Sequence, residues 1–339
     1  MTKTNKKPIT IITGCLGSGK TTLLRQLLKE PQLQHNTAVI VNEFGKVGLD
    51  HHLLKKADEK TTLLKGGCIC CNNREDLENE LKSFLSMDHN KEAAINRIII
   101  ETTGMADPAP ILFTILTNPL LQHHYYIDSV VVTVDAKNGM LHMKNNPELI
   151  KQVTVADKIV LTKSDISSEM EKEELKQQLK KINPSCEVLE AVHGNIGFDV
   201  LKGGHQQLSL PVLKKAQPNP ENRNHYSSTI QSISFTFHNP LDWTAFGLWL
   251  SSLLHANGED ILRVKGLLNV GEEGPIVLNG VQHIIHPPEH LHAWPDEDQH
   301  SHLVFILRSI QPAEIEKSLK AFQYFLGTDI DILELNTAL

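Results

Sequence analysis

Gly14-Cys15-Leu16-Gly17-Ser18-Gly19-Lys20-Thr21 is a complete G-x-x-x-x-G-K-[ST] phosphate-binding loop. Glycines let the backbone turn tightly enough for successive N–H groups to face phosphate oxygens. The positive end of the following helix dipole adds to that attraction. In such a loop Lys20 reaches the β- and γ-phosphates, and Thr21, followed by Thr22, offers its hydroxyl to Mg²⁺. The flanks agree with the motif. Ile9 to Ile12 is a short apolar run that reads as a buried strand, and Leu23, Leu24, Leu27 and Leu28 recur at helical spacing behind the loop.

Four further groups could do chemistry. Cys68-Ile69-Cys70-Cys71 follows two glycines, and three thiols at that spacing can converge on one soft cation such as Zn²⁺, Co²⁺ or Cu(I). Three protein ligands leave a fourth tetrahedral position open, which suits a site that must release its metal. Small buried cysteines and a redox thiol group remain open as alternatives at this point. Glu101-Thr102-Thr103-Gly104 ends an apolar run. In phosphate-loop enzymes an acid there binds Mg²⁺ or orients water, and a nearby glycine N–H senses the γ-phosphate. Asn42-Glu43-Phe44-Gly45 ends another such run, where a nucleotide switch would lie. Thr162-Lys163-Ser164-Asp165 resembles the base-reading [NT]-K-x-D of GTPases. A carboxylate can accept from both N1–H and the 2-amino group of guanine, whereas adenine would leave it unpaired. The competing interpretation makes Asp165 the cap of the helix Glu169 to Ile182.

The elements that must hold these groups read as alternating strands and helices. Strands are expected at Ile9–Ile12, Thr37–Phe44, Ile98–Ile100, Val130–Val134, Lys158–Leu161 and Glu187–Val192. The His193-Gly194-Asn195 loop then flanks the base pocket. Fold class is therefore α/β: a doubly wound, mostly parallel phosphate-loop NTPase sheet over residues 1–205. A polar, proline-bearing linker is expected at 206–228, then a smaller α+β domain over 229–339. In that domain strands are expected at Ile230–Phe237, Ile261–Val270, Pro275–Ile285 and Leu303–Ile310. Helices are expected at Leu241–Leu254 and, closing the chain, around Ile315, Leu319, Phe322 and Leu326. His283, His286, His290, His292, His300 and His302 lie near Glu289, Asp296, Glu297 and Asp298. They read as a solvated loop, with a weak Zn²⁺ site as the alternative.

At 339 residues the chain is long enough for two domains. The net charge of −7 implies no basic face for nucleic acid. No apolar run approaches membrane-spanning length, and no signal peptide is evident. Five cysteines, an odd number with three clustered, suit metal or redox chemistry in a reducing, cytoplasmic setting better than a disulfide framework.

The order GCLGSGKTTLL, NEFG, GGCICC, ETTGMADPAP, LTKSD resembles the CobW/YjiA-type phosphate-loop GTPases, and RVKGLLNV (Arg263 to Val270) resembles their C-terminal domain. The resemblance implies a Mg²⁺-dependent GTPase of slow intrinsic turnover. It couples GTP state to Zn²⁺ or Co²⁺ at Cys68, Cys70 and Cys71, and delivers metal to a client metalloprotein or metal-insertion complex. It assigns Glu43, Glu101 and Gly104 to the Mg²⁺ and switch apparatus, and Thr162, Lys163 and Asp165 to guanine. Where relatives carry acids beside the Asn-Glu-Phe-Gly segment, this chain has Val41 and Lys46, so a second carboxylate metal site is not expected. A metal sensor with little turnover and a small-molecule kinase are the competing functions. The sequence leaves the oligomeric state, monomer or homodimer, open.

Overall fold

The structure is a computed structural model that describes residues 6–34, 36–41, 62–63, 74–89, 95–203, 230–326 and 332–338. Two compact units are present, Met1–Lys176 with Glu187–Gly203, and Gln177–Cys186 with Gly204–Leu339. The expected linker at 206–228 lies outside the described residues.

In chain order the first sheet and its helices run β1 (Lys7–Gly14), α1 (Lys20–Leu27), β2 (Thr37–Val41), β3 (Thr62–Leu63), α2 (Arg74–His89) and β4 (Arg97–Glu101). They continue α3 (Ala109–Thr117), α4 (Pro119–His124), β5 (Tyr125–Asp135), α5 (Gly139–Asn145), α6 (Pro147–Val155), β6 (Lys158–Thr162), α7 (Glu169–Ile182) and β7 (Glu187–Ala191). The strands lie in the order β3-β2-β4-β1-β5-β6-β7, and every pairing is parallel. All six expected strands are present, and the two-residue β3 is additional. Thr37–Phe44 is strand through Val41, and Asn42 to Phe44 lie outside the described residues.

Helices on both faces explain why these strands are continuous apolar runs rather than alternating ones. Ile9, Ile11 and Ile12 are fully buried, and Leu23, Leu24 and Leu27 of α1 pack with Val39, Ile99, Val131 and Val160. Each such side chain contributes roughly 1.5–3 kcal/mol of burial, and this anchors α1 directly behind the phosphate loop. Parallel pairing also puts every strand's carboxyl end at one edge, where ligands of open α/β sheets bind.

The second unit carries β8 (Ile230–Phe237), α8 (Trp243–Asn257), β9 (Ile261–Leu268), β10 (Ile276–Val281), β11 (Ile284–Ile285), β12 (Glu289–His290), β13 (Ser301–Arg308), α9 (Pro312–Leu326) and β14 (Ile332–Ala338). The sheet is antiparallel in the order β11-β10-β9-β13-β8-β14, with β12 on β10. Phe235, Phe237, Phe246, Trp249, Phe305 and Leu319 share its core with neighbouring aliphatics. Asp242 accepts from Ala245 N at 2.8 Å and so starts α8 two residues later than expected. The strand expected over Pro275–Ile285 is split in two, because the chain reverses at Gln282, whose φ is 53°. The helix expected to close the chain is followed by β14, which pairs antiparallel with β8.

Candidate functional site

Three glycines of the loop after β1 take left-handed backbone, Gly14 at φ 142°, Gly17 at 74° and Gly19 at 92°. Gly14 also has no room for a side chain: a Cβ would come within 2.4 Å of the Thr133 carbonyl. Hydroxyls pin the loop from below. Ser18 Oγ and Thr133 Oγ1 are 2.6 Å apart, and Thr162 Oγ1 donates to the Ser18 carbonyl at 2.7 Å. Lys20 is 8% exposed, and its Nζ donates to the Gly14 and Cys15 carbonyls at 2.9 Å each, so the ammonium is held against the loop. Burial pushes the Cys15 thiol up, with Lys20 opposing and Glu148 adding to the rise, so this thiol is kept protonated and inert.

Thr21 Oγ1 donates to Glu101 Oε1 at 2.6 Å. Glu101 ends β4 and is 3% exposed. A hydroxyl and a carboxylate beside the phosphate loop are hard oxygen donors, which fit Mg²⁺ and not a soft cation. Next along the chain, Thr102 Oγ1 donates to Thr13 Oγ1 at 2.7 Å. Gly104 then lies directly on the phosphate loop, where a Cβ would meet Leu16 N at 2.4 Å. Strand β1 thus brings Lys20 and Thr21 to Glu101 and Gly104, eighty residues further on.

After β6, Lys163 takes φ 55°, and its Nζ pairs with Asp135 Oδ2 at 2.7 Å. Asp135 also accepts from Lys137 N, Asn138 N and Asn138 Nδ2. Burial raises the Asp135 carboxyl, and these donors outweigh it, so its pKa lies below the usual value. Asp165 sits in a one-turn 3₁₀ helix, Ser164–Ile166, and is exposed. It does not cap α7. Ser168 and Glu171 do so reciprocally: Glu171 accepts from Ser168 N at 2.8 Å, and Glu171 N donates to Ser168 Oγ at 3.3 Å. The helix-cap alternative for Asp165 is therefore excluded. In the loop after β7, His193 and Gly194 both have positive φ, and His193 is exposed. Gly194 packs on α1, with a Cβ position 2.8 Å from Thr22 O.

A cleft of about 730 Å³ opens over the phosphate loop, Glu101 and Gly104, and of the expected site residues Gly14, Ser18, Thr162, Asp165 and His193 do not line it. Its lining includes Cys15, Leu16, Gly17, Gly19, Lys20, Thr21, Thr22, Glu101, Gly104 and Lys163 from the expected set. It also includes Val41, Met105, His142, Asn146 and Glu148. Sequence reasoning missed the last three, on α5, α6 and the residue between them, because no motif marks them. Asp135 was missed as well, although an apolar strand ending in an acid was a usable signal. Glu43, Cys68, Cys70 and Cys71 lie outside the described residues.

The expected histidines do not converge on one point, although His300 and His302 share a carboxylate. His283 contacts Leu254 O, His290 contacts Glu272, and His300 and His302 contact Asp298. Among the described residues no group of three or more His, Cys, Asp or Glu is arranged to hold a metal. Among the same residues no helix is long and apolar enough to cross a membrane.

Residues 8–190 match the CobW/HypB/UreG nucleotide-binding domain, and residues 230–323 match the cobalamin synthesis protein cobW C-terminal domain. The chain is 34% identical over 316 residues to the zinc chaperone YjiA of Escherichia coli (strain K12), covering 92% of this chain and 97% of that protein. It is 27% identical to zinc-regulated GTPase metalloprotein activator 1 of Schizosaccharomyces pombe, covering 89% of this chain and 82% of that one. Among solved structures, Zn(II)-bound YjiA GTPase from Escherichia coli superposes with a TM-score of 0.69 at 31% identity. That likeness covers 94% of this chain and 99% of the other.

Proposed function

We propose, from the premise that this chain belongs to the CobW/HypB/UreG family and carries the CobW C-terminal domain, that it is a Mg²⁺-dependent GTPase acting as a metallochaperone. Its cargo is Zn²⁺ or Co²⁺, held by Cys68, Cys70 and Cys71 and passed to a client metalloprotein. The observation that carries the reading is the convergence of Lys20, the Thr21–Glu101 pair and Gly104 at the mouth of the phosphate loop. Two relatives, named a zinc chaperone and a zinc-regulated GTPase metalloprotein activator, supply the direction of the chemistry.

Phosphoryl transfer to water needs positioning and charge neutralisation more than covalent chemistry. The backbone N–H groups from Cys15 to Lys20 cradle the β-phosphate, and the Lys20 ammonium leaves the Gly14 and Cys15 carbonyls for phosphate oxygens. Thr21 and Glu101 would hold Mg²⁺, which when bound would neutralise charge on the phosphates. Gly104 N–H senses the terminal phosphate. Asp165 accepts from guanine, while the Asp135 ion pair holds the Lys163 stem along the base, with His193 at the rim. Glu43 follows β2 in the chain and the cysteines follow β3, and both strands end at the carboxyl edge of the sheet, near Glu101. GTP closes the three thiolates on metal, and hydrolysis loosens them.

The test is competitive titration of Zn²⁺ and Co²⁺ into protein loaded with Mg²⁺ and either a GTP analogue or GDP. The titration is repeated with Cys68, Cys70 and Cys71 replaced by Ser. Metal affinity should be higher with the triphosphate and should fall in the Ser variant. Equal affinities in the two nucleotide states would remove the coupling, and an unaffected Ser variant would remove the site.

A further inference from the structure

Ser18, the residue before Gly19 in the phosphate loop, is buried and held at both of its oxygens. Its Oγ lies 2.6 Å from Thr133 Oγ1, and its carbonyl accepts from Thr162 Oγ1 at 2.7 Å. Thr162 ends β6 and is 4% exposed. A threonine hydroxyl has a single proton to give. The other acceptor it meets among the described residues is the Val134 carbonyl, at 3.3 Å, and the shorter contact claims the proton. None is left for guanine N7 or O6, which only accept. The guanine donors, N1–H and the 2-amino group, go to Asp165 in the proposed site. Thr162 also does not line the nucleotide cleft.

The peptide between Ser18 and Gly19 is planar and trans, so its C=O and N–H point in opposite directions. Holding the carbonyl on Thr162 therefore turns the Gly19 N–H away from Thr162. Gly19 lines the cleft, and its N–H makes no hydrogen bond among the described residues. The backbone by itself does not fix this plane. Gly19 has φ 92°, and glycine takes either sign of φ at little cost. Thr162 fixes it from outside, with its hydroxyl on the Ser18 carbonyl and its methyl against Gly19, where a Cβ would lie 3.3 Å from Thr162 Cγ2.

We propose that Thr162 is a positioning residue for the phosphates and not a reader of the base. Its hydroxyl aims the Gly19 N–H as a donor to the β-phosphate. A dipole that is already aimed needs no reorganisation when its ligand arrives, so the hydroxyl adds affinity without touching the nucleotide. Without that hydroxyl the Ser18 carbonyl is left buried and unpaired, the peptide plane is free to turn, and one donor drops out of the cradle. The first residue of the Thr-Lys-Ser-Asp motif thus serves the opposite end of the nucleotide from the last. This rests on the reading of the site as a guanine-nucleotide pocket.

The experiment measures GDP and GMP binding, by calorimetry, to the full chain and to its Thr162→Val and Thr162→Ser variants. Valine keeps the shape and removes the hydroxyl, and serine keeps the hydroxyl. The two ligands share the base and differ by the β-phosphate. With valine, GDP affinity should fall about tenfold, the worth of one hydrogen bond to a charged group, and GMP affinity by no more than about twofold. Serine should restore GDP affinity to within about threefold of the parent. Equal losses for GDP and GMP would make Thr162 a base reader, and a lowered melting temperature with both affinities unchanged would make it merely structural. Either result overturns the proposal. A second readout needs no variant. Ser18–Gly19 is the only Ser-Gly step in the sequence, so carbonyl-¹³C serine with ¹⁵N glycine singles out the Gly19 amide by NMR. Its proton should move downfield when GDP binds the unmodified protein and stay nearly in place with GMP. A Gly19 amide that does not respond to bound GDP overturns the proposal. Failure of the unmodified protein to bind either guanine nucleotide would instead overturn the GTPase reading, and this inference with it.

Discussion

Replacing Asp165 by Asn separates guanine recognition from everything else in the site. Asp165 sits in the short turn after β6, is exposed, and makes no hydrogen bond or ion pair among the described residues. The helix behind it is capped by Ser168 and Glu171 instead. Substitution therefore disturbs no fold contact, and the melting temperature should move by no more than about 2 °C. Its effect on binding is larger. A carboxylate accepts from guanine N1–H and from the 2-amino group, and hydrogen bonds to a charged group contribute about 1.5–3 kcal/mol each. Because the carboxylate is exposed it gives up hydration to make them, so the lower end applies, a total of about 3 kcal/mol. GDP affinity should fall roughly a hundredfold. Asparagine keeps one acceptor and turns an NH₂ toward the 2-amino group. That arrangement suits xanthine, whose C2 carries a carbonyl, so xanthosine diphosphate should bind better than to the unmodified protein. Calorimetry with both nucleotides measures this. A variant that binds GDP as tightly as the parent would refute the assignment of Asp165 to the base.

Gly104→Ala places a methyl 2.4 Å from Leu16 N. Backbone cannot yield as a side-chain tip can, so unfolding free energy in urea should drop by about 1–3 kcal/mol and GTP turnover should fall with it. Asp135 has a native pKa below its ordinary value, so its contribution to stability is present above about pH 4 and is lost as pH falls through the native pKa. Asp135→Asn should cost about 1–3 kcal/mol at pH 7, discounted because the Lys163 partner is 41% exposed. The difference between parent and variant in urea melts should shrink as pH approaches 3.

The parts of the site that could be read from sequence are those where the backbone itself does the chemistry. A phosphate loop needs glycine at fixed offsets, and Gly14, Gly17 and Gly19 are the residues with left-handed backbone. Its strand and helix are signalled by apolar runs, so β1 and α1 followed at once. Thr162-Lys163-Ser164-Asp165 was ambiguous in sequence because Asp is both a base acceptor and a good helix cap. Only the intervening 3₁₀ turn, with Ser168 as the actual cap, separates the two. The α5–α6 wall was illegible because its polar residues follow no period. Gln152 is a buried amide in a helix that also carries Glu148, Lys151 and Thr154, and His142, Asn146 and Glu148 belong to a junction set by tertiary packing. Strand β14 was missed because seven residues with two acid-or-amide positions carry weak strand propensity until β8 offers them an edge.

In the proposed function, register offers the route by which the nucleotide site governs the cysteines without sharing ligands. Val41, the last described residue of β2, pairs with Glu101 on β4, and β3 pairs with β2 in turn. Glu43 follows Val41 by two residues, and Cys68 follows Leu63 of β3 by five. The strands that precede these segments in the chain, β2 and β3, lie one and two strands from β4, which carries the carboxylate that Thr21 engages. The donors sort the metals at the same time. Oxygen at Thr21 and Glu101 suits Mg²⁺, whereas the three thiolates of the proposed cargo site would select Zn²⁺ or Co²⁺ and disfavour Mg²⁺. Each ion can then be present in excess of its own site without displacing the other. In the proposed reading the link between them is mechanical, carried by strand ends and the Gly104 turn, rather than competition for a common ligand. Millimolar Mg²⁺ without nucleotide should accordingly leave Zn²⁺ affinity unchanged in the same titration. A Zn²⁺ affinity that falls with Mg²⁺ alone would place both ions on shared ligands and remove the mechanical account.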